Sequence, residues 1–243
     1  MAAVLEQRHV GDPRDLNQPL GQEGSAKLQS LLSTGVLDEH RSKAILAAAQ
    51  IPVVQERIVV SADEAAAVAA GFGFPVVMKG LVPGTVHKTE HGLVRLGIGS
   101  AAEAARQFQS LSEAMSGAGS VLVQRQLKAE LELIVGLIRD PQFGPSVMLG
   151  LGGVMAEVFH DSVFAVAPLS HAEALRMIAR LGAQQLLDGF RGAPAVDRDA
   201  LAQILVHIGN LGCACPSLRE IDINPLLVSS GAPTAVDATV IVD

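Results

Sequence analysis

Apolar positions recur along this chain with two different periods, and the switching between them lays out its elements. Asp38 to Gln50 and Asp197 to Leu211 have helical spacing, with Leu201, Ile204, Leu205 and Ile208 forming the apolar stripe of the second. Ile51-Pro52 ends the first, because a proline pushes the residue before it out of the helical region. Three further helix starts have the form S-x-x-E: Ser61-Ala-Asp-Glu64, Ser100-Ala-Ala-Glu103 and Ser170-His-Ala-Glu173. In this form the serine accepts an early N–H and the glutamate reaches back to the serine's own N–H. Between the helices lie short β-branched runs: Ile58 to Val60, Pro75 to Lys79, Val121 to Gln124, Glu132 to Gly136 and Val147 to Leu149. Helices and strands mix without a strict β-α repeat, which predicts an α+β protein of two lobes.

Near the C-terminus the period becomes two. Glu220, Asp222 and Asn224 alternate with Ile221 and Ile223, so the three polar side chains share one face of a strand that runs to Val228. Ala235-Val-Asp237-Ala predicts a second strand, pairing with the first as a hairpin across Ser229 to Thr234. Carboxylate and amide oxygens gathered this way are the hard donors Mg²⁺ takes, and a solvated strand face is the competing reading.

Composition narrows the chemistry. The chain has 243 residues, 49% hydrophobic, enough for a sizeable core, and a formal net charge of −7. That charge excludes the broad positive field of a non-specific nucleic-acid or membrane binder, so an anionic ligand has to meet locally placed cations or backbone N–H groups. Cys213 and Cys215 form a C-x-C without the remainder of a zinc ligand set. Met1 to Gly24 is polar, lacks the apolar stretch of a secretory signal, and reads as a tail or docking arm. The expected setting is cytoplasmic.

Two familiar nucleotide patterns fail. There is no G-x-x-x-x-G-K-[ST], and Gly71-Phe-Gly73-Phe-Pro75 lacks the third glycine of G-x-G-x-x-G. A dispersed set remains. Lys79 ends an apolar strand, where it is either a point cation for a phosphate or a solvated surface lysine. Val86-His87-Lys88-Thr-Glu90 follows; Gln124 closes one strand and Glu132 opens the next. Leu149-Gly-Leu-Gly152-Gly153-Val154 is either a plain tight turn or a backbone cradle for an anion.

In their order and spacing these segments, with Asp140-Pro-Gln-Phe-Gly-Pro145, Gly189-Phe-Arg191-Gly192 and Glu220-Ile-Asp-Ile-Asn-Pro225, resemble the ATP-grasp subunit or domain of ADP-forming acyl-CoA (acetyl-CoA) synthetases. The resemblance runs from about Leu28 to Asp243 and extends more distantly to the nucleotide-binding half of the succinyl-CoA synthetase β subunit. It implies an ATP-grasp fold over residues 25–243, with one lobe over about 54–123 and the other over about 124–243 with helices from 25–53. It also implies a nucleotide site for ATP/ADP formed by Lys79, Lys88, Gln124, Glu132, Gly152, Gly153 and Arg191, and a Mg²⁺ site at Asp222, Asn224 and Asp237. Lys79 and His87 would be catalytic, His87 relaying a phosphoryl group as a second phosphohistidine. The implied partner is a CoA-binding α-type subunit with the primary phosphohistidine, which also handles CoA and the acid. This chain has Val82-Pro83 where the family has Ser-Pro, and Lys128-Ala-Glu130 where it has a glycine-rich bend. Another ATP-grasp carboxylate ligase, or a non-catalytic nucleotide-binding or scaffold subunit, is the alternative.

Overall fold

Alternating side chains build two antiparallel sheets. The structure, a computed structural model, describes residues 28–82, 91–154, 161–189 and 192–243. The chain divides into two compact units.

The smaller unit comprises Asp38–Arg41 and Val53–Lys128. Its sheet runs β2 (Glu56–Val59), β5 (Ser120–Arg125), β3 (Val76–Leu81), β4 (Val94–Ile98). Cross-strand partners share a face, so Met78 with Val123, and Val59 with Val121, point to one side. There they form a core with Ala65, Val68 and Ala69 of α2 (Ala62–Phe72) and Ala104 and Leu111 of α3 (Ala101–Ala114). The other face carries Lys79, paired with Leu122, and Gln124, paired with Val77.

The larger unit holds the described residues up to Leu37, with Ser42–Pro52 and Ala129–Asp243. Among the described residues its sheet has seven strands, in the order β1 (Gly35–Val36), β11 (Ala238–Val242), β9 (Leu218–Ser229), β6 (Leu131–Asp140), β7 (Gly144–Leu151), β8 (Ser162–Val166), with β10 (Ala232–Ala235) also on β9. Leu133, Val135 and Leu137 of β6, Leu149 of β7 and Ile221 and Ile223 of β9 are buried on one face. The apolar stripe of α6 (Arg198–Ala214) is buried with them: Leu201, Ile204, Leu205, Ile208 and Leu211. Gly209 and Gly212 let α6 approach closely, since a Cβ on Gly212 would meet Leu137 and lie 3.0 Å from Cβ of Pro145. Cys213 and Cys215, at the end of α6, are free thiols, and burial raises the pKa of Cys215 against the lowering effect of Arg139.

The helix starts are where the serines predict them, with one difference in detail. All three serine hydroxyls accept the N–H of the glutamate three residues on. Only Ser170, which opens α4 (His171–Ala179), has the full reciprocal box, its own N–H donating to Glu173 at 2.8 Å. Glu64 and Glu103 instead accept from Val60 and Gly99, one residue earlier. The backbone explains this: φ is −147° at Ser61 and −154° at Ser100, against −75° at Ser170, so the serine N–H turns away and its predecessor's turns in. The helix expected from Asp38 is α1 (Glu39–Ala48), with the Asp38 side chain accepting the N–H of Arg41. Strands β1, β4 and β8 add to those the sequence predicts, and β6 and β7 are longer than predicted. No described helix is long and apolar enough to cross a membrane.

The tight seat of α6 is testable. Gly212→Ala should destabilise the fold by about 1–3 kcal/mol, the overpacking cost exceeding alanine's helix propensity gain. Urea unfolding of the two proteins measures this, and an alanine variant as stable as the parent would refute it.

Candidate functional site

The hairpin at the C-terminus is tighter than the sequence suggests. Ser229 pairs with Ala232, leaving the two-residue turn Ser230-Gly231 with φ of 51° and 82°, the positive pair a type I′ turn requires. Strand β10 pairs as far as Ala235 with Leu226, and β11 resumes at Ala238 opposite Ile223. Asp237 therefore sits in the gap between the strands, not inside one. The same register leaves Val236-Asp237 facing Asn224-Pro225, and Val236 N–H donates to the Pro225 carbonyl at 3.3 Å.

A β-bulge makes this arrangement. On β6, Leu133 pairs with Leu226 and Val135 with Ile223, so two steps on β6 match three on β9. The extra residue falls at Asn224-Pro225, where proline has no N–H to give the ladder. Ile223 and Leu226 both stay in the core, and Asn224 is exposed. Glu220, Asp222, Asn224 and Asp237 thus share the sheet face away from α6. Asp222 lies opposite Gly136, which adds no side chain over it. Burial raises the pKa of Asp222, and repulsion from Glu220 and Asp237 raises it further. A cation among these oxygens would offset the repulsive part of that shift, because an opposite charge favours the ionised carboxylate. Among the described residues no three His, Cys, Asp or Glu side chains are grouped to hold a metal. A cation here would take Asn224 with one or two carboxylates, the sparse set that Mg²⁺ uses when phosphate oxygens and water complete its shell.

On the same face, Glu132, the second residue of β6, lies roughly 13 Å from Gly136 at the rise of an antiparallel strand. It lines a cavity of ≈ 500 Å³ with Glu130, Gly152, Gly153, Leu186 and Pro194, within the roughly 300–1,000 Å³ of small-molecule sites. The two glycines bring the chain onto Glu132. A Cβ on Gly152 would sit 3.0 Å from the Glu132 carbonyl carbon, and Gly153 has φ 57° with Glu132 Oε2 2.5 Å from where its Cβ would be. The Gly152 N–H donates to the Glu132 carbonyl at 2.8 Å, so this glycine serves close approach of the backbones. The Lys128-Ala-Glu130 bend is tied down, with the Ser230 N–H donating to Glu130 at 2.6 Å.

In the smaller unit, Lys79 and Gln124 are buried, 5% and 4% exposed, on the sheet face away from α2 and α3. That burial removes the solvated-surface reading of Lys79. Its ammonium donates to Glu39 of α1 at 2.7 Å. His40 Nδ1 is 2.8 Å from Glu56, which pairs with Gln124. His87, Lys88 and Arg191, and the segment Met1 to Gly24, lie outside the described residues.

A family model described as an ATP-grasp domain matches residues 31–242. The chain belongs to the ATP-grasp family. Within it, the chain is 38% identical over 211 residues to the β subunit of ADP-forming acetate–CoA ligase I from Pyrococcus furiosus, covering 84% of this chain and 91% of that one. It is 37% identical over 198 residues to the ADP-forming acetate–CoA ligase I of Archaeoglobus fulgidus, of which it covers 29%. Among solved structures, it superposes with a TM-score of 0.77 and 38% identity on acetyl-coenzyme A synthetase 1 of Ca. Korarchaeum cryptofilum, covering 86% of this chain and 93% of that one. That structure holds coenzyme A and Mg-AMPPCP, with its phosphohistidine segment pointing towards the nucleotide-binding site.

Two charged residues of this ATP-grasp chain, Glu39 and Lys43, carry no mark in the sequence. They stand four apart at the start of a helix, the spacing of an ordinary surface pair, which is why nothing local marks them. Both are buried; Lys43 donates to the Val236 carbonyl at 3.2 Å, next to Asp237.

The raised pKa of Asp222 has a signed consequence. In the folded state this carboxyl holds its proton above the ordinary value of 3.8, so the native state binds more protons than the unfolded one, and Asp222 costs stability as pH rises past that value. Asp222→Asn should therefore be more stable than the parent at pH 7 without metal, and the gain should vanish below pH ~3.8. Thermal melts across pH would show it, and an equal or lower Tm for the variant at pH 7 would contradict it.

Proposed function

We propose that this chain is the nucleotide-binding subunit of an ADP-forming acyl-CoA synthetase, transferring a phosphoryl group between ATP/ADP and a phosphohistidine on a CoA-binding partner. The observation that carries the reading is the likeness over 91% of the length of a Pyrococcus subunit named for this activity. The overall reaction is acyl-CoA + ADP + Pi ⇌ acid + CoA + ATP. In the half-reaction of this chain, the phosphorus–nitrogen bond of phosphohistidine breaks as a bond forms to the terminal phosphate oxygen of ADP, and the proton on the ring's other nitrogen lets the imidazole leave neutral.

Such a transfer needs positioning and charge neutralisation more than covalent help from the protein. Lys79 supplies a fixed cation, and Gln124 stands with it on one sheet face. Glu132, with its carboxylate at the cavity, accepts from the ribose hydroxyls; Lys88, Arg191 and the Gly152-Gly153 turn complete the nucleotide set. Asp222, Asn224 and Asp237 would hold Mg²⁺, which when bound neutralises the phosphate oxygens. His87 is the relay, because a neutral imidazole is a competent nucleophile towards phosphorus. The partner is an α-type subunit with the primary phosphohistidine, and the complex works in the cytoplasm. The structure with Mg-AMPPCP and a phosphohistidine segment supports this reading by family likeness.

Two experiments test it. With the partner complex and labelled ATP, His87→Ala should slow label transfer to the partner by about 100-fold or more, the low end for loss of a nucleophile. An unchanged rate removes the relay role. Asp237→Ala should raise the Mg²⁺ concentration needed for half-maximal ADP binding by about tenfold or more. Unaltered Mg²⁺ dependence in a calorimetric titration would move the metal elsewhere.

A further inference from the structure

Among the described residues, Glu39 is the most deeply buried acid beside those of the proposed site. Its side chain is 0% exposed and that of Lys79 6%, with 2.7 Å between Nζ and Oε1. An acidic residue in the first turn of a helix ordinarily faces solvent and complements the helix dipole, which requires no burial. Sinking an ion pair into the interior is costly, and apolar residues of the same volume usually stabilise a fold at least as well. The pair is therefore poorly explained by stability alone.

Its geometry points to Lys79. A lysine has a long, flexible stem, and a charge-assisted bond from a fixed carboxylate selects one arrangement of it. The carboxylate is itself fixed, because the neighbouring His40 joins Glu56 on the strand beside Gln124, which holds the first turn of α1 against the same sheet face. We propose that Glu39 is a positioning residue: it places the Lys79 ammonium for the phosphates of Mg-nucleotide and does not touch the nucleotide itself. This rests on the phosphate role of Lys79 in the proposed function.

The test is a double-mutant cycle on the full chain, titrated with Mg-ADP in a calorimeter, each variant shown folded by circular dichroism at the working temperature. Glu39→Gln should raise the Kd about tenfold and Lys79→Met at least as much. The double variant should bind no worse than Lys79→Met, because without the ammonium the carboxylate has nothing to place. Wild-type affinity in Glu39→Gln, or losses that multiply in the double variant, would overturn the positioning role while leaving Lys79 in the site. Wild-type affinity in Lys79→Met would instead overturn the phosphate role of Lys79, and this proposal with it. Glu39→Gln leaves an ammonium buried without its carboxylate, so the same cycle is run with Glu39→Asp, which keeps the charge one methylene shorter. Its loss of affinity should be smaller and should again disappear in the Lys79→Met background.

Discussion

The antiparallel pairing of β6 with β9 is the constraint on which the larger unit depends. It lies at the middle of the sheet, and its register decides which side chains of both strands enter the core with α6 and which face the other way. A slip of one residue would send Asp222 into the core and Ile221 out of it. The bulge at Asn224-Pro225 is the one place where that register is deliberately broken. Its effect is to keep Ile223 and Leu226 inside while turning Asn224 out beside Asp237.

Electrostatics follows from that geometry. Oxygen donors are drawn together on one face, where burial first, and then repulsion from Glu220 and Asp237, raises the pKa of Asp222. Stability alone would not select such a cluster, since each carboxylate worsens the position of the next. The smaller unit shows the opposite solution, a buried cation closed by a buried anion. In both cases charge is held where the fold must spend free energy to keep it. Such expenditure is characteristic of sites that bind or transfer charged groups.

Much of the fold was legible because the cues were local. Ser61, Ser100 and Ser170 marked helix starts, since a hydroxyl that satisfies an early N–H acts within one turn. What they could not convey was the direction of each serine's own N–H, which depends on how the chain arrives at the cap. Strands β6 and β7 exceed the lengths the sequence predicts because ladder pairing extends them past their β-branched centres, through Arg139 to Asp140 and back to Gly144. The turn at Ser230-Gly231 is shorter than the Ser229 to Thr234 loop that the sequence predicts, because Ala232 to Ala235 has little alternation and is a strand only through its pairing with β9.

By itself the sequence determined that Glu220, Asp222 and Asn224 share a face, that α6 has one apolar stripe, and that Gly152-Gly153 marks a special backbone. These follow from period, rotation per residue and the missing Cβ, all properties of a few neighbouring residues. Only the tertiary structure decided that Asp237 faces Asn224, that the Gly152 turn lies against Glu132, and that Lys79 is buried against a glutamate 40 residues earlier. Those contacts join segments far apart in the chain. They exist because sheet register and helix packing bring them together, and no local pattern of residue types encodes a partner that distant.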